Sequence, residues 1–151
     1  MWVESNLGAG STLFFACVVE IGPTDVTHII PKLRQNWQHQ VLSIGSGQTD
    51  CVESISDAIK EFNLVLRILS NGTAAWSSEL GKADAYGCVI VDDGKTAKRF
   101  RDTERFRYIP IVMLAPSTSA SLKDSLEHGI VSYMATPCLP VDLGNALIPA
   151  L

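Results

Sequence analysis

From Gln40 onward, short apolar runs alternate with segments whose apolar positions recur every three or four residues. Val41–Ile44, Leu64–Leu69, Tyr86–Val91, Ile109–Leu114 and Val131–Ala135 have strand length and are bounded by turn-forming residues. Between the first two runs, Val52, Ile55, Ile59 and Phe62 fall on one face of a helix that Thr49 or Asp50 can cap. A weaker helix is predicted after Asn71-Gly72, through Trp76 and Leu80, and a charged one from about Thr96 to Arg105. A further helix, Ala120–His128, stops at Gly129, a suitable left-handed terminator. The last begins at Pro140, which fits a first helical turn, and ends by Pro149. Five strands of buried type alternating with helices predict a parallel sheet covered on both faces. Any site then belongs at the carboxyl ends of the strands, at Gly45-Ser46, Asp92-Asp93, Ala115 and Thr136.

The pattern before Gln40 differs. Trp2–Ser5 and Ser11–Glu20 flank a turn holding Gly8 and Gly10 and predict a hairpin. Residues 21–39, with Pro23 and Pro31, lack a clear period and read as a connector, with a short helix near Lys32–Trp37.

Composition narrows the function classes. The chain has 151 residues, 46% of them hydrophobic, enough for one folded domain with a short extension. A net charge of −4 gives no basic footprint for nucleic acid. Lys95, Lys98, Arg99, Arg101, Arg105 and Arg107 do cluster, but Asp102 and Glu104 interleave them, and a solvated helix face is expected. No apolar run approaches the roughly 20 residues of a membrane helix, so no membrane contact is expected of this segment. The start lacks the pattern of a secretory signal. Cys17, Cys51, Cys88 and Cys138 are scattered without C-x-x-C spacing. They could pair, but Cys17 and Cys88 sit in apolar runs where reduced thiols are common, so a reduced cytoplasmic protein without structural zinc is the expectation. His28, His39 and His128 stand beside no nucleophile with an orienting acid, and Cys138 reads as packing.

The run Met1-Trp-Val-Glu-Ser-Asn-Leu-Gly-Ala-Gly-Ser-Thr-Leu-Phe-Phe15 resembles the final hairpin of a histidine-kinase ATP-binding domain. The nucleotide motifs that precede it in that family do not occur here, so ATP binding is not expected. Gln40–Leu151 resembles the receiver domain of response regulators. Asp92, after Cys88-Val89-Ile90-Val91, matches the phospho-accepting aspartate; Ile109–Leu114 matches the fourth strand, and Gly129–Pro137 the fifth. The resemblance implies an α/β, flavodoxin-like (CheY-like) five-stranded parallel sheet with helices on both faces, preceded by a β-hairpin. It divides the chain into 1–20, the end of an ATP-binding domain; 21–39, a linker; and 40–151, a receiver-like domain. That order is similar to a hybrid sensor histidine kinase and implies a chain beginning inside the kinase domain.

The chemistry departs from the resemblance. The acidic pair that holds Mg²⁺ in receivers falls on Gly45 and Ser46, neither of which offers an anionic ligand. The hydroxyl residue after the fourth strand is Ala115, and the lysine before the proline is Thr136. Losing one preorganised donor typically costs about 10²–10³ in rate, and phosphoryl transfer depends on charge neutralisation. Asp92 therefore reads as a vestigial acceptor beside a degenerate pocket of Gly45, Ser46, Asp93, Ala115 and Thr136, without Mg²⁺ or another cofactor. Tyr133 holds the switch-aromatic position and reads as a half-buried structural ring. The preferred reading is a non-enzymatic pseudo-receiver that contacts the kinase core of its parent protein, another receiver domain, or a second copy through the hairpin or the last helix. The alternatives are an atypical phosphorelay receiver accepting phosphate on Asp92, and a small-ligand sensor at the strand ends.

Overall fold

The structure is a computed structural model. It describes residues 2–6, 8, 10–18, 26–33, 40–45, 49–70, 79–116 and 129–151, with the backbone alone at 49–51, 70, 80, 115 and 116. The expected helix through Trp76 and Leu80 is described only from its end, where Leu80–Ala85 form a 3₁₀ helix, and the helix Ala120–His128 lies outside the described residues, as do Ser46, His39 and His128.

Strands β1 (Trp2–Asn6) and β2 (Gly10–Phe14) pair antiparallel, with Gly8 and Gly10 at positive φ in the turn. The second strand ends six residues before the Glu20 that the sequence pattern suggests, because Phe15–Val18 continue without a ladder. The rings of Trp2 and Phe14 stack with centroids 5.0 Å apart. Val3 faces Leu13 across the ladder, and Trp2, Val3, Leu13 and Phe15 are all exposed.

The main body is a five-stranded parallel sheet in the order β4-β3-β5-β6-β7. Its strands are β3 (Gln40–Gly45), β4 (Val65–Ser70), β5 (Tyr86–Val91), β6 (Ile111–Pro116) and β7 (Ile130–Thr136). This is the flavodoxin-like winding, in which the chain reverses direction between β3 and β5. Side chains alternate across the strands and build two cores. Val41, Cys88, Ile90, Val112 and Leu114 face α2 (Thr49–Glu61) and α4 (Pro140–Leu147). Leu42, Ile44, Val89, Val91 and Met113 face α3 (Gly94–Asp102), which contributes Ala97 and Phe100.

Residues 26–33, within the segment expected to be a linker, pack into the core of the body. They hold a short helix, α1 (Ile30–Leu33), which starts before the expected Lys32, while residues 34–37 of the expected Lys32–Trp37 lie outside the described residues; Val26, Ile29 and Leu33 are buried at 4%, 0% and 0% exposure. A Cβ on Gly144 of α4 would lie 2.5 Å from Ile29 Cγ2 and 3.1 Å from Phe62 Cζ, so the missing side chain is what lets this segment seat on the body.

Two boundaries also move. Helix α3 begins at Gly94, since Asp93 is its N-cap, and it ends at Asp102, followed by a 3₁₀ turn, Glu104–Phe106. Strand β6 starts at Ile111 because Ile109 lies in the preceding turn; the Pro110 carbonyl already accepts from Val89 N–H at 2.9 Å. The final helix begins at Pro140 as expected, with Leu139 N–H donating to Asp142 Oδ2 at 3.3 Å.

Candidate functional site

The register of the parallel ladder builds the site. Ile44 of β3 lies across from Val91 of β5, so the next residues, Gly45 and Asp92, meet side by side at the carboxyl ends of two adjacent strands. The contact is close. A Cβ on Gly45 would stand 3.0 Å from Asp92 Oδ2 and 3.4 Å from its Cγ. The half-buried Asp92 carboxylate thus lies over the glycine, in the space that a side chain at 45 would fill. Its Oδ1 is buried, and no hydrogen bond reaches that oxygen from the described residues.

Asp93 has a different task. Its Oδ1 accepts from Thr96 N–H at 2.9 Å and its Oδ2 accepts from Thr96 Oγ1 at 2.6 Å, which caps α3. A carboxylate at this position satisfies an otherwise orphaned helical N–H and sits at the favourable end of the helix dipole. Adjacent as they are in sequence, the two aspartates therefore serve different elements.

The other predicted positions lie further along the sheet. The backbone of Ala115 is across from Ala135 in the β6–β7 ladder, and Thr136 is across from Pro116, half-buried, with a cis peptide to Pro137. Tyr133 pairs with Met113 and packs, half-buried, against the core beneath α3. The placement of Gly45, Asp92, Ala115 and Thr136 at strand ends follows the expectation; Ser46 lies outside the described residues.

The described strand-end residues offer little of what Mg²⁺ coordination uses. The ion calls for several hard oxygen ligands in octahedral array. At the described strand ends, Gly45 offers no side-chain oxygen, Asp92 fills the space above it, and Asp93 is engaged with the helix. Among the described residues no three His, Cys, Asp or Glu side chains gather as a metal site. Cys17, Cys88 and Cys138 are free thiols, and burial pushes Cys88 up to about 12.

Two charged clusters have structural roles that the linear pattern concealed. Arg101, grouped in sequence with a solvated basic face, is half-buried instead. Its Nη1 donates to the carbonyls of Arg107 at 2.6 Å and Ile109 at 2.8 Å, and its Nη2 to Gly129 at 2.6 Å. Lys95, Lys98, Arg99, Arg105 and Arg107 are exposed as expected. Glu79, 1% exposed, accepts from the Tyr86 hydroxyl, from Arg67 at 3.3 Å and from Lys82 at 3.2 Å. The hydrogen bond from Tyr86 holds the Glu79 carboxyl below its ordinary value, against the opposing effect of burial. Burial, then the bond to Glu79, pushes Tyr86 up to about 12. A tyrosine opening a buried strand is the one signal that could have announced this cluster, since its hydroxyl needs a partner.

No family model and no curated protein sequence matches the chain. Solved structures do. The chemotaxis response regulator CheY4 of Vibrio cholerae superposes with a TM-score of 0.63 at 17% identity, over 76% of this chain and 99% of that one. A signal receiver domain of a two-component histidine kinase from Clostridium thermocellum gives 0.60 at 14%, over 75% and 98%. The receiver domain of the sensor histidine kinase PA1611 from Pseudomonas aeruginosa, which has a magnesium ion coordinated in its active-site cleft, gives 0.54 at 18%, over 72% and 94%. At these identities the likeness is one of fold: the chain has the five-stranded CheY-like receiver fold, with a separate two-stranded antiparallel sheet.

Proposed function

We propose that this chain is a pseudo-receiver of a hybrid histidine kinase, acting in two-component signalling by protein contact and without Mg²⁺-dependent phosphorylation. One observation carries the reading: the Asp92 carboxylate lies over Gly45, 3.0 Å from where a Cβ would be, at the strand end where a receiver's metal-binding acid belongs. A phosphoryl group on Asp92 would add about −1.5 to −2 charge there, with threonine at 136 in place of a compensating lysine. The partner is the kinase core of the parent protein or another receiver, in the cytoplasm. The hairpin of β1 and β2 is the end of the kinase's ATP-binding domain. No helix among the described residues is long and apolar enough to cross a membrane.

The test is exposure to acetyl phosphate, or to beryllofluoride, with Mg²⁺, followed by intact-mass measurement and backbone NMR. No stoichiometric adduct and no Mg²⁺-dependent shift at Asp92 is the expected result. A stoichiometric phosphate abolished by Asp92→Asn would replace this reading with an atypical phosphorelay receiver.

A further inference from the structure

The groove between α2 and α4 is filled by the chain's own residues 26–33. Val26, Ile29 and Leu33 point into it and are buried, while Thr27, His28, Pro31 and Lys32 face outward. That spacing, i, i+3 and i+7, is how a short amphipathic helix lays its apolar face into a groove on a partner. The groove is shaped for this occupant: Ile29 enters the notch that Gly144 leaves in α4, against the ring of Phe62. Backbone bonds from Ile29 and Ile30 N–H to the Val26 carbonyl, and from Lys32 and Leu33 N–H to the Ile29 carbonyl, close within the segment. Among the described residues the segment joins no strand of the sheet, and three buried apolar side chains seat it on the body.

We infer that residues 26–33 are a cis-acting ligand of a helix-receiving groove, a strap that can leave without unfolding the sheet. Burial of three apolar side chains holds the strap down against the entropy lost in ordering eight residues. The strap lies between the hairpin and β3, so tension on the hairpin acts on it directly. A short helix bearing apolar residues at the same spacing can take the groove once the strap has left.

Amide hydrogen exchange on the full chain is the first measurement. Amides of the strap should exchange at least ~10-fold faster than those of β3 and β5; exchange at the rate of the sheet would overturn the proposal. In a full-length Ile29→Asp chain, strap protection should vanish while β3, β5 and β6 keep theirs. Loss of protection throughout the sheet would make the segment ordinary core. A labelled synthetic peptide of residues 24–35 should bind the Ile29→Asp chain saturably, and at least ~10-fold more weakly once Gly144→Val closes the notch. Absence of saturable binding, or indifference to Gly144→Val, would also sink the idea.

Discussion

At the amino end of the sheet, Arg101, in the last turn of α3, donates to the carbonyls of Arg107, Ile109 and Gly129, tying together the approaches to β6 and β7. Nearby, Tyr86 at the start of β5 bonds to the buried Glu79, which also holds Arg67 and Lys82. At the carboxyl end, Asp92 lies against Gly45, with a buried Oδ1 that no described residue hydrogen-bonds. At one end Arg101 holds three backbone carbonyls; at the other Asp93 caps α3 and Asp92 lies against Gly45. The two ends thus use charge differently: a clamp and a buried cluster at one, a helix cap and a strand-end carboxylate at the other.

That contrast can be broken at several points, the largest effect first. Arg101→Ala should cost about 2–4 kcal/mol in urea unfolding, since three carbonyls lose a charged donor and only the exposed ones regain water. A loss below about 1 kcal/mol would remove the clamp from the comparison. Glu79→Gln should cost about 1–3 kcal/mol and flatten the acid limb of stability. Because the folded carboxyl sits below its ordinary value of 4.5, the stability it supplies is complete above that value and drains as pH falls through the lowered one. Tyr86 mirrors this in alkali: its contribution is complete below pH 10 and is lost as pH rises toward about 12. Thermal melts across both limbs, for the parent and for Glu79→Gln, provide the check.

Asp93→Ala removes the cap of α3 and should cost about 1 kcal/mol, with NMR shifts confined to the first turn of that helix. Asp92→Asn should be the mildest, within about 1 kcal/mol of the parent in either direction, because the amide keeps the size of the carboxylate and removes only its charge from beside Gly45. A large destabilisation there would mean that the two ends of the sheet are alike.

Much of this fold was legible from apolar runs. Tyr86–Val91 emerged with both its limits, because a strand buried on both faces is a continuous apolar run that charge or turn residues close at each end. Ile109 was misplaced into β6, since its apolar side chain says nothing of a carbonyl pinned by Arg101 from another element. Val26, Ile29 and Leu33 were read as connector because Pro31 interrupts their period and the groove that accepts them is made far along the chain, at Gly144. For the site, Asp92 could be located by its place at the end of an apolar strand. The carboxylate's position over Gly45 could not, because it depends on the register between β3 and β5. Asp93 could be separated from Asp92 only by its bonds to Thr96.

The close approach of Asp92 to Gly45 also bears on how such a site could change over time. An acid arriving at position 45 by single substitution would meet a carboxylate about 3.0 Å from its Cβ, with no cation there to offset the repulsion between the two. That step is uphill by itself, and it becomes favourable only after Asp92 has turned away or a positive charge has come to the pocket. An acid at position 45 and the present placement of Asp92 are therefore alternatives: gaining the one asks the other to move.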